Sequence, residues 1–258
     1  MILPVYTLWL RELTRFFRQP SRIAGAVATP LLFWLLIGSG LSGSFRPPGG
    51  PAALNYLGYF YPGTIVLVLL FAAIFSNISV IEDRHEGFLQ GVLVAPVSRT
   101  ALVMGKVLGG ATLAWLQGIV FLALAPVSGI HLTVASTLTA LGVLALLALT
   151  LTALGFFFAW RLDSVQGFHA IMNVVLMPMW LLSGAFFPLT GAPSWLSALM
   201  RINPLTYGVS ALREVLYGPA GPGGTDLPGV PASLAITAGL GLLCLAASLA
   251  ATRSGRVD

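Results

Sequence analysis

Apolar residues form long blocks along this chain, and polar residues are concentrated between the blocks. A helix that crosses about 30 Å of hydrocarbon needs roughly 20 mostly apolar residues. Six stretches meet that requirement: 22–41, 59–81, 107–127, 133–159, 168–188 and 231–252. Pro30, Pro62 and Pro178 lie inside these stretches, which a membrane helix tolerates because its neighbours satisfy the freed carbonyls. The pattern predicts an all-α membrane protein with six transmembrane helices in a single domain over residues 1–258.

The residues before the first span show the periodicity of a short amphipathic helix. Within 1–20, apolar and basic residues recur at helical spacing on separate faces: Leu10, Leu13 and Phe17 on one, Arg11, Arg15 and Arg18 on the other. This arrangement predicts an interfacial helix lying at the membrane surface. The alternative, a disordered basic tail, would leave Trp9 and Phe16 in water.

The stretch 82–106, between the second and third spans, predicts a second short helix. Apolar residues form one stripe of it: Ile81, Phe88, Leu89 and Val92. Pro96 ends this helix and Ser98 caps the next. Such a helix either presents its charged faces to a soluble partner or simply lies among lipid headgroups, and composition leaves both readings open.

The long connection between the fifth and sixth spans predicts a helical hairpin over 189–218. Two amphipathic patterns follow each other: Trp195, Leu196, Leu199 and Met200, then Leu205, Val209, Leu212 and Leu216. Asn203-Pro204 separates them. We expect Arg201, Arg213 and Glu214 to face water or each other, and a Gly/Pro-rich linker to follow over 218–231. The high apolar content argues against the alternative, a plain surface loop.

Charge sets the expected orientation. The chain is 57% hydrophobic and only 8% charged, whereas soluble domains have about a quarter of their residues charged. Of the thirteen Lys and Arg residues, ten fall on the side that holds both termini: Arg11, Arg15, Arg18, Arg22, Arg84, Arg99, Lys106, Arg161, Arg253 and Arg256. The other side has Arg46, Arg201 and Arg213. This asymmetry predicts cytoplasmic termini, an uncleaved first span and a lipid bilayer, with no nucleic acid, as the partner of the net positive charge.

Catalytic chemistry is not predicted on this chain. The Gly105-Lys106 pair lacks the spacing and the following Ser or Thr of a phosphate-binding loop. Cys244 is the single cysteine, and the histidines have no metal-ligand spacing, so we expect no catalytic, cofactor or metal site. His169 and Asn173 share a face of the fifth span, which we interpret as a polar pair rather than a catalytic one. Gly105 and Gly109 form a small-xxx-small pair that permits close helix packing.

Nearly the whole chain resembles the membrane subunit family of type-2 ABC exporters, especially its drug-resistance and lipo-oligosaccharide export branch. Three segments resemble it most specifically: DRHEGFLQGVLVAPVSRTALVMGKVLGG at 83–110, AIMNVVLMPMWLLSGAFFPL at 170–189 and INPLTYGVSALRE at 202–214. The opening RELTRFFRQP and the following TPLLFWLLIGSGL also resemble the interfacial helix and first span of that family.

The resemblance implies a permease that works as a homodimer, chiefly through its first and fifth spans, with two ABC nucleotide-binding ATPase subunits. ATP and Mg would then bind the partner subunit and not this chain. The resemblance implies a coupling helix that contacts the ATPase: Arg84, Glu86, Gly87, Pro96 and Arg99. It further implies that Arg11 and Arg18 of the interfacial helix lie against the same ATPase. The outer hairpin would help to close the exit through residues that include Trp195, Asn203, Pro204 and Tyr207.

These implications place the protein in a bacterial or archaeal plasma membrane as an exporter of amphipathic drugs, lipids or lipid-linked glycans. An energy-independent channel without an ATPase partner is the leading alternative. A membrane-embedded enzyme is a more distant one and would require His169 or Asn173 for chemistry. The sequence does not identify the substrate.

Overall fold

The computed structural model describes residues 2–43, 55–218 and 227–254, and the described part is helical without strands. Its helices are α1 (Ile2–Phe17), α2 (Pro20–Leu41), α3 (Tyr56–His85), α4 (Phe88–Val94), α5 (Arg99–Leu122), α6 (Val134–Arg161), α7 (Val165–Trp180), α8 (Ser194–Ile202), α9 (Pro204–Tyr217) and α10 (Val230–Ser254). A 3₁₀ turn (Ala125–Ser128) follows α5, and a π turn (Leu181–Ala185) extends α7. Most of the predicted linker, Arg46 and Arg256 lie outside the described residues.

Six of these helices are long and apolar enough to cross a membrane: α2, α3, α5, α6, α7 with its π turn, and α10. This confirms the predicted number and order of spans. Helices α3 and α5 extend furthest beyond the apolar stretches that predicted them. The end of α3 includes Glu82 and Asp83, and α5 begins at Arg99. Polar residues extend these helices because partners elsewhere in the fold pair with them, which hydropathy alone does not register.

Helix α3 is the centre of the bundle. In its most apolar window 89% of the residues are buried, against 22% in α2 and in α10. It packs against α2, α5, α6 and α7, while α10 packs against α6 and α9. Glycines allow the closest approaches, and a side chain at Gly63 would collide with Ala185 of the π turn. The outer helices therefore have apolar faces that the described residues leave uncovered, whereas α3 is enclosed by protein.

The two ends of the bundle differ in what they hold. One end, here named the α1 end, gathers α1, α4, the last turn of α3, the first turns of α5 and the final turn of α10. The opposite end, here named the α8 end, holds α8, α9 and the π turn. Both ends of the described chain belong to the α1 end. Among the described basic residues, Arg201 and Arg213 alone belong to the α8 end, in agreement with the sorting made from sequence.

Helix α1 packs tightly onto the start of α5. Gly105 faces Leu8, and Gly109 faces Glu12, so closely that an added Cβ would lie 2.6 Å and 2.7 Å from the Cβ atoms of those residues. The close approach permitted by the two glycines is thus made with α1. The buried face of α1 carries Leu8, Glu12 and Phe16. The predicted apolar face is only partly correct, because Leu10 and Phe17 are exposed.

Candidate functional site

Helix α4 is joined to α3 by a sharp turn and is held to the bundle along one side. Gly87 has φ 76°, in the left-handed region that favours glycine. Leu89 is buried against the bundle. The guanidinium carbon of Arg11 lies 3.7 Å from the centre of the Phe88 ring, a cation–π contact that ties α4 to α1. One side of α4 therefore packs against the bundle and against α1.

The other side of α4 is open. Val94 is 86% exposed, and the side chain of Glu86 is 60% exposed. Pro96 is exposed in the segment that leads to α5. Of the residues to which the family resemblance assigns ATPase coupling, Glu86, Gly87 and Pro96 therefore lie on or beside the accessible face of α4.

Arg84 faces the interior of the protein. Its guanidinium donates to the Asp163 carboxylate at 2.8 Å and to the carbonyls of Leu162 and Trp160 at 3.2 Å and 2.5 Å. The carbonyls belong to the end of α6, whose unpaired C-terminal carbonyls are natural acceptors for a cation. In this structure Arg84 joins the end of α3 to the connection between α6 and α7.

Arg99 binds carbonyl groups at the end of α10, as Arg84 does at the end of α6. It donates to the carbonyls of Thr252 and Arg253, the latter at 3.1 Å. The first turn of α5 is thereby bound to the last turn of α10. The two arginines assigned to coupling by position thus both make contacts within the chain, although Arg99 itself is exposed.

A buried group of charges lies between α1, α3 and α5. Lys106 has a side chain that is 2% exposed. Its ammonium donates to Glu12 at 2.6 Å, to the Ser79 hydroxyl at 3.2 Å and to Asp83. Ser79 in turn donates to the other oxygen of Glu12 at 2.7 Å. The three donors of the ammonium are all matched by acceptors, as burial of a charge requires.

Two arginines of α1 complete this group. Arg11 donates to both oxygens of Asp83, at 2.7 Å and 2.8 Å. Arg15 binds Asp83 at 2.7 Å and Glu82 at 2.8 Å. Burial lowers the pKa of Arg11, but its hydrogen bond and charge contact with Asp83 outweigh that effect and raise the pKa overall. Arg15 also lies 3.5 Å from the more exposed Glu86. We name the following residues the charge cluster: Arg11, Glu12, Arg15, Ser79, Glu82, Asp83 and Lys106.

Sequence reasoning missed the charge cluster because its members lie in segments that were interpreted separately. Glu12 was a lone acid in a basic helix, and Lys106 was the last residue of a loop. The isolated acid was the available indication, since a carboxylate flanked by arginines at positions 11 and 15 is already suited to a buried position. The cluster makes α1, α3, α4 and α5 one connected unit at the α1 end.

A groove of about 760 Å³ runs beside the charge cluster along α1. Its lining includes Leu10, Arg11, Arg15, Arg18 and Glu86. Arg18 is exposed. Both residues of the predicted interfacial surface, Arg11 and Arg18, therefore line the groove, although Arg11 is committed to Asp83 and Phe88.

At the α8 end the hairpin residues hold α9 in place. The Asn203 side chain accepts the Leu205 amide at 3.1 Å and donates to the Met179 carbonyl of α7 at 2.6 Å. Pro204 begins α9, where its fixed φ and missing amide hydrogen suit the first helical position. The Tyr207 hydroxyl donates to the carbonyl of Arg201 at 2.8 Å. Trp195, in contrast, is 65% exposed.

The two helices of this segment differ in how far their apolar residues are buried. Leu205, Val209, Leu212 and Leu216 are all buried. In α8, Met200 is buried but Leu199 and Trp195 are exposed together with Ile202. The expectation that Arg213 faces water or its charged neighbours is wrong, because Arg213 is only 9% exposed and points to the π turn.

The described residues contain no group of three or more His, Cys, Asp and Glu side chains that would suit a metal ion. His169 lies 6.3 Å from the Phe75 ring, centre to centre, and Asn173 is exposed on α7. His169 therefore has an aromatic neighbour on α3.

The six long apolar helices and the apolar faces that the described residues leave uncovered define a multi-pass membrane protein. The family model described as ABC-2 type transporter matches residues 4–217. The chain therefore belongs to the ABC-2 type transporter family, whose members are membrane subunits of ABC transporters.

Several relatives support this placement. A protein of Cyanophora paradoxa named as a transport permease, ycf38, is 29% identical over 213 residues, which cover 81% of this chain and 72% of the relative. The daunorubicin resistance ABC transporter permease protein DrrB1 of Streptomyces coeruleorubidus is 25% identical, covering 83% and 75%. The inner membrane transport permease YadH of Escherichia coli K12 is 27% identical, covering 82% of each chain.

Proposed function

We propose that this chain is the permease subunit of an ATP-driven exporter and that a separate ATPase subunit moves it by pushing on α4. The observation that carries the proposal is the two-sided character of α4. Its inner side is fixed by Leu89 and by the contact between Arg11 and Phe88. Its outer side offers Val94 at the surface. Glu86, in the turn that precedes α4, is 60% exposed and lies 3.5 Å from Arg15.

A displacement of α4 would be transmitted to α3, α1 and α5 through direct contacts. Gly87 connects α4 directly to α3, and Arg11 joins α4 to Asp83 within the charge cluster. Lys106 then links the same carboxylate to α5. Breaking a buried ion pair is costly, so α1, α3, α4 and α5 should tilt together when the partner changes state. ATP shifts this equilibrium only if the ATPase binds the two permease states unequally.

The excess of basic residues at the α1 end supports a cytoplasmic position for that end. Both termini, α4 and the groove beside α1 would then face the compartment that holds the ATPase, ATP and Mg. The ATPase would contact the outer side of α4 and the exposed Arg18. Arg84 and Arg99 would act from within, by holding α6 and α10 to the coupling region.

A second copy of the chain is the proposed cover for α2 and α7. Both helices have low burial for spans, and both carry exposed large apolar residues, such as Leu36 at 69% and Val174 at 74%. Substrate would cross between the two copies or leave sideways into lipid. The name of the relative DrrB1 refers to daunorubicin resistance, which supports amphipathic drugs or lipids as the substrate class.

The test uses a matched pair of exposed valines at opposite ends of the bundle. Val94 in α4 is 86% exposed and Val134 in α6 is 80% exposed. The full chain is produced together with a candidate phosphate-loop ATPase, and co-purification and ATP-dependent uptake of daunorubicin into inside-out vesicles are measured. Val94→Glu should abolish both while leaving membrane insertion intact, and Val134→Glu should preserve both.

Two results would count against the proposal. Normal ATPase binding by Val94→Glu would remove α4 from the contact. Daunorubicin uptake that needs neither ATP nor the ATPase would favour the energy-independent channel instead.

A further inference from the structure

The end of α7 is irregular in a region where backbone groups must find partners. Leu181–Ala185 form a π turn, and Gly184 within it has φ 77°. Irregular backbone at membrane depth is stable only when other groups bind its carbonyls. An added Cβ at Gly184 would meet no atom closer than 3.9 Å. Glycine is therefore favoured at position 184 because of its positive φ, and not because space for a side chain is lacking.

Side chains of α3 and α9 bind the carbonyls of this turn. The Thr206 hydroxyl donates to Leu182 at 3.3 Å. The Gly184 carbonyl accepts the Tyr59 hydroxyl at 2.9 Å and the Arg213 guanidinium at 2.7 Å. Consequently, the π turn is held from two sides: by α3, which is the centre of the bundle, and by α9, which belongs to the hairpin.

Arg213 is an unusual residue at this place. It is 9% exposed, and no carboxylate of the described residues lies within ion-pair distance of it. Its charge is met by the Gly184 carbonyl and by the face of Tyr59, whose ring centre lies 4.5 Å from the guanidinium carbon. Its Nε has no hydrogen-bond partner. A buried cation compensated only by dipoles and a ring retains part of its desolvation cost.

We propose that Arg213 is the latch of the α8 end, and that release of its bond to Gly184 lets the hairpin α8–α9 swing away from α3 about the π turn. This inference rests on the proposed function, in which that end opens to release substrate. Released Arg213 reaches water or lipid phosphate, both of which stabilise a guanidinium better than one carbonyl does. The hydrogen bond to Gly184 therefore holds the closed state, and solvation of the released guanidinium compensates for most of its loss, which a buried carboxylate partner would prevent.

The test measures opening directly and does not require the ATPase or a substrate. Met200 is fully buried next to the π turn, so a cysteine placed there reports on opening. Met200→Cys is made together with Cys244→Ser, since Cys244 is the single native cysteine. Labelling by a membrane-impermeant maleimide is then measured in freeze–thawed vesicles. Arg213→Met should raise the labelling rate on the order of tenfold, because one hydrogen bond to a charged group is lost, and Arg213→Lys should restore much of the protection.

The native cysteine separates local opening from unfolding. Cys244 is 5% exposed in α10, and its labelling in Arg213→Met should stay at the native rate. Equal increases at both cysteines would show general destabilisation and overturn the latch, as would an unchanged rate at Met200→Cys. These outcomes are independent of the proposed function, because a latch without transport would still give selective labelling.

A matched glycine pair tests the pivot. Gly184 and Gly191 both have positive φ, 77° and 89°, and both have room for a methyl group. Gly184→Ala should alter the labelling rate at Met200→Cys several-fold, whereas Gly191→Ala carries the same backbone strain outside the π turn and should not. Equal effects of the two substitutions would overturn the assignment of the pivot.

Discussion

The two ends of the bundle bury cations in opposite ways. At the α1 end, the ammonium of Lys106 donates to Glu12, Asp83 and Ser79, so that two carboxylates compensate its charge. At the α8 end, Arg213 has a carbonyl, an aromatic ring and an unpaired Nε. Both side chains are almost fully buried. They differ in the compensation that they receive.

The difference bears on which contacts can change during a working cycle. A buried ion pair is strongly destabilised when one partner is lost, so the charge cluster suits a joint that stays closed while it moves. A cation bound to neutral groups loses less on release and is better solvated outside. We therefore expect the α1 end to behave as a rigid transmitter and the α8 end to behave as the part that opens.

The largest expected effect is loss of the lysine in the charge cluster. Lys106→Met leaves Glu12 and Asp83 buried with too few cations, which should cost about 3–5 kcal/mol of stability. Thermal unfolding in detergent measures the loss. The double substitution Lys106→Met with Glu12→Gln restores the charge balance and should recover most of it. A double variant no more stable than the single one would contradict charge balance as the cause.

Loss of Arg213 should destabilise the protein less. Arg213→Met leaves a carbonyl that still accepts the Tyr59 hydroxyl, so the expected cost is about 1–3 kcal/mol. The same unfolding assay compares it with Lys106→Met. If Arg213→Met proved the more damaging of the two, the contrast between the ends would be reversed and the latch would be a structural anchor.

Separating α1 from α5 tests the joint without touching a charge. Gly109→Val places atoms against Glu12, and overpacking of this kind costs about 1–3 kcal/mol. Gly142 in α6 has open space around it, so Gly142→Val is the matched control and should be close to neutral. Limited proteolysis of α1 should accelerate in the Gly109 variant. Equal resistance in both variants would argue against close packing of α1.

The smallest effect is expected from a single hydroxyl. Tyr59→Phe removes one bond to Gly184 and keeps the ring beneath Arg213, with an expected cost of about 1 kcal/mol. Labelling at Met200→Cys should rise less than in Arg213→Met. A larger rise than in the arginine variant would identify Tyr59 as the main support of the π turn.

Much of the fold was accessible from sequence because the relevant property is local. Six apolar stretches of sufficient length predict six spans, and the spacing of Leu205, Val209, Leu212 and Leu216 predicts the buried face of α9. The prediction for α1 was less complete. The same 3.6-residue period describes several faces, and only packing onto Gly105 and Gly109 selects the one that carries Glu12.

The candidate site was likewise predicted only in part from the sequence. The position of α4 and its exposed outer side follow from Pro96, Ser98 and the apolar stripe. The contacts of Arg84 and Arg99 do not, because their acceptors are carbonyls at the ends of α6 and α10. Every residue has a backbone carbonyl, so the sequence does not indicate which carbonyl an arginine will bind.

The helical class, the number of spans and the sorting of basic residues follow from the order of amino acids alone, since hydropathy and charge add up along the chain. Which charges are buried, and how each is compensated, depends on the folded arrangement of the helices. Glu12 and Lys106 are 94 residues apart, and Arg213 meets Gly184 across 29. A charge is stabilised by whatever lies within a few ångströms of it, and in this protein those neighbours come from distant parts of the chain.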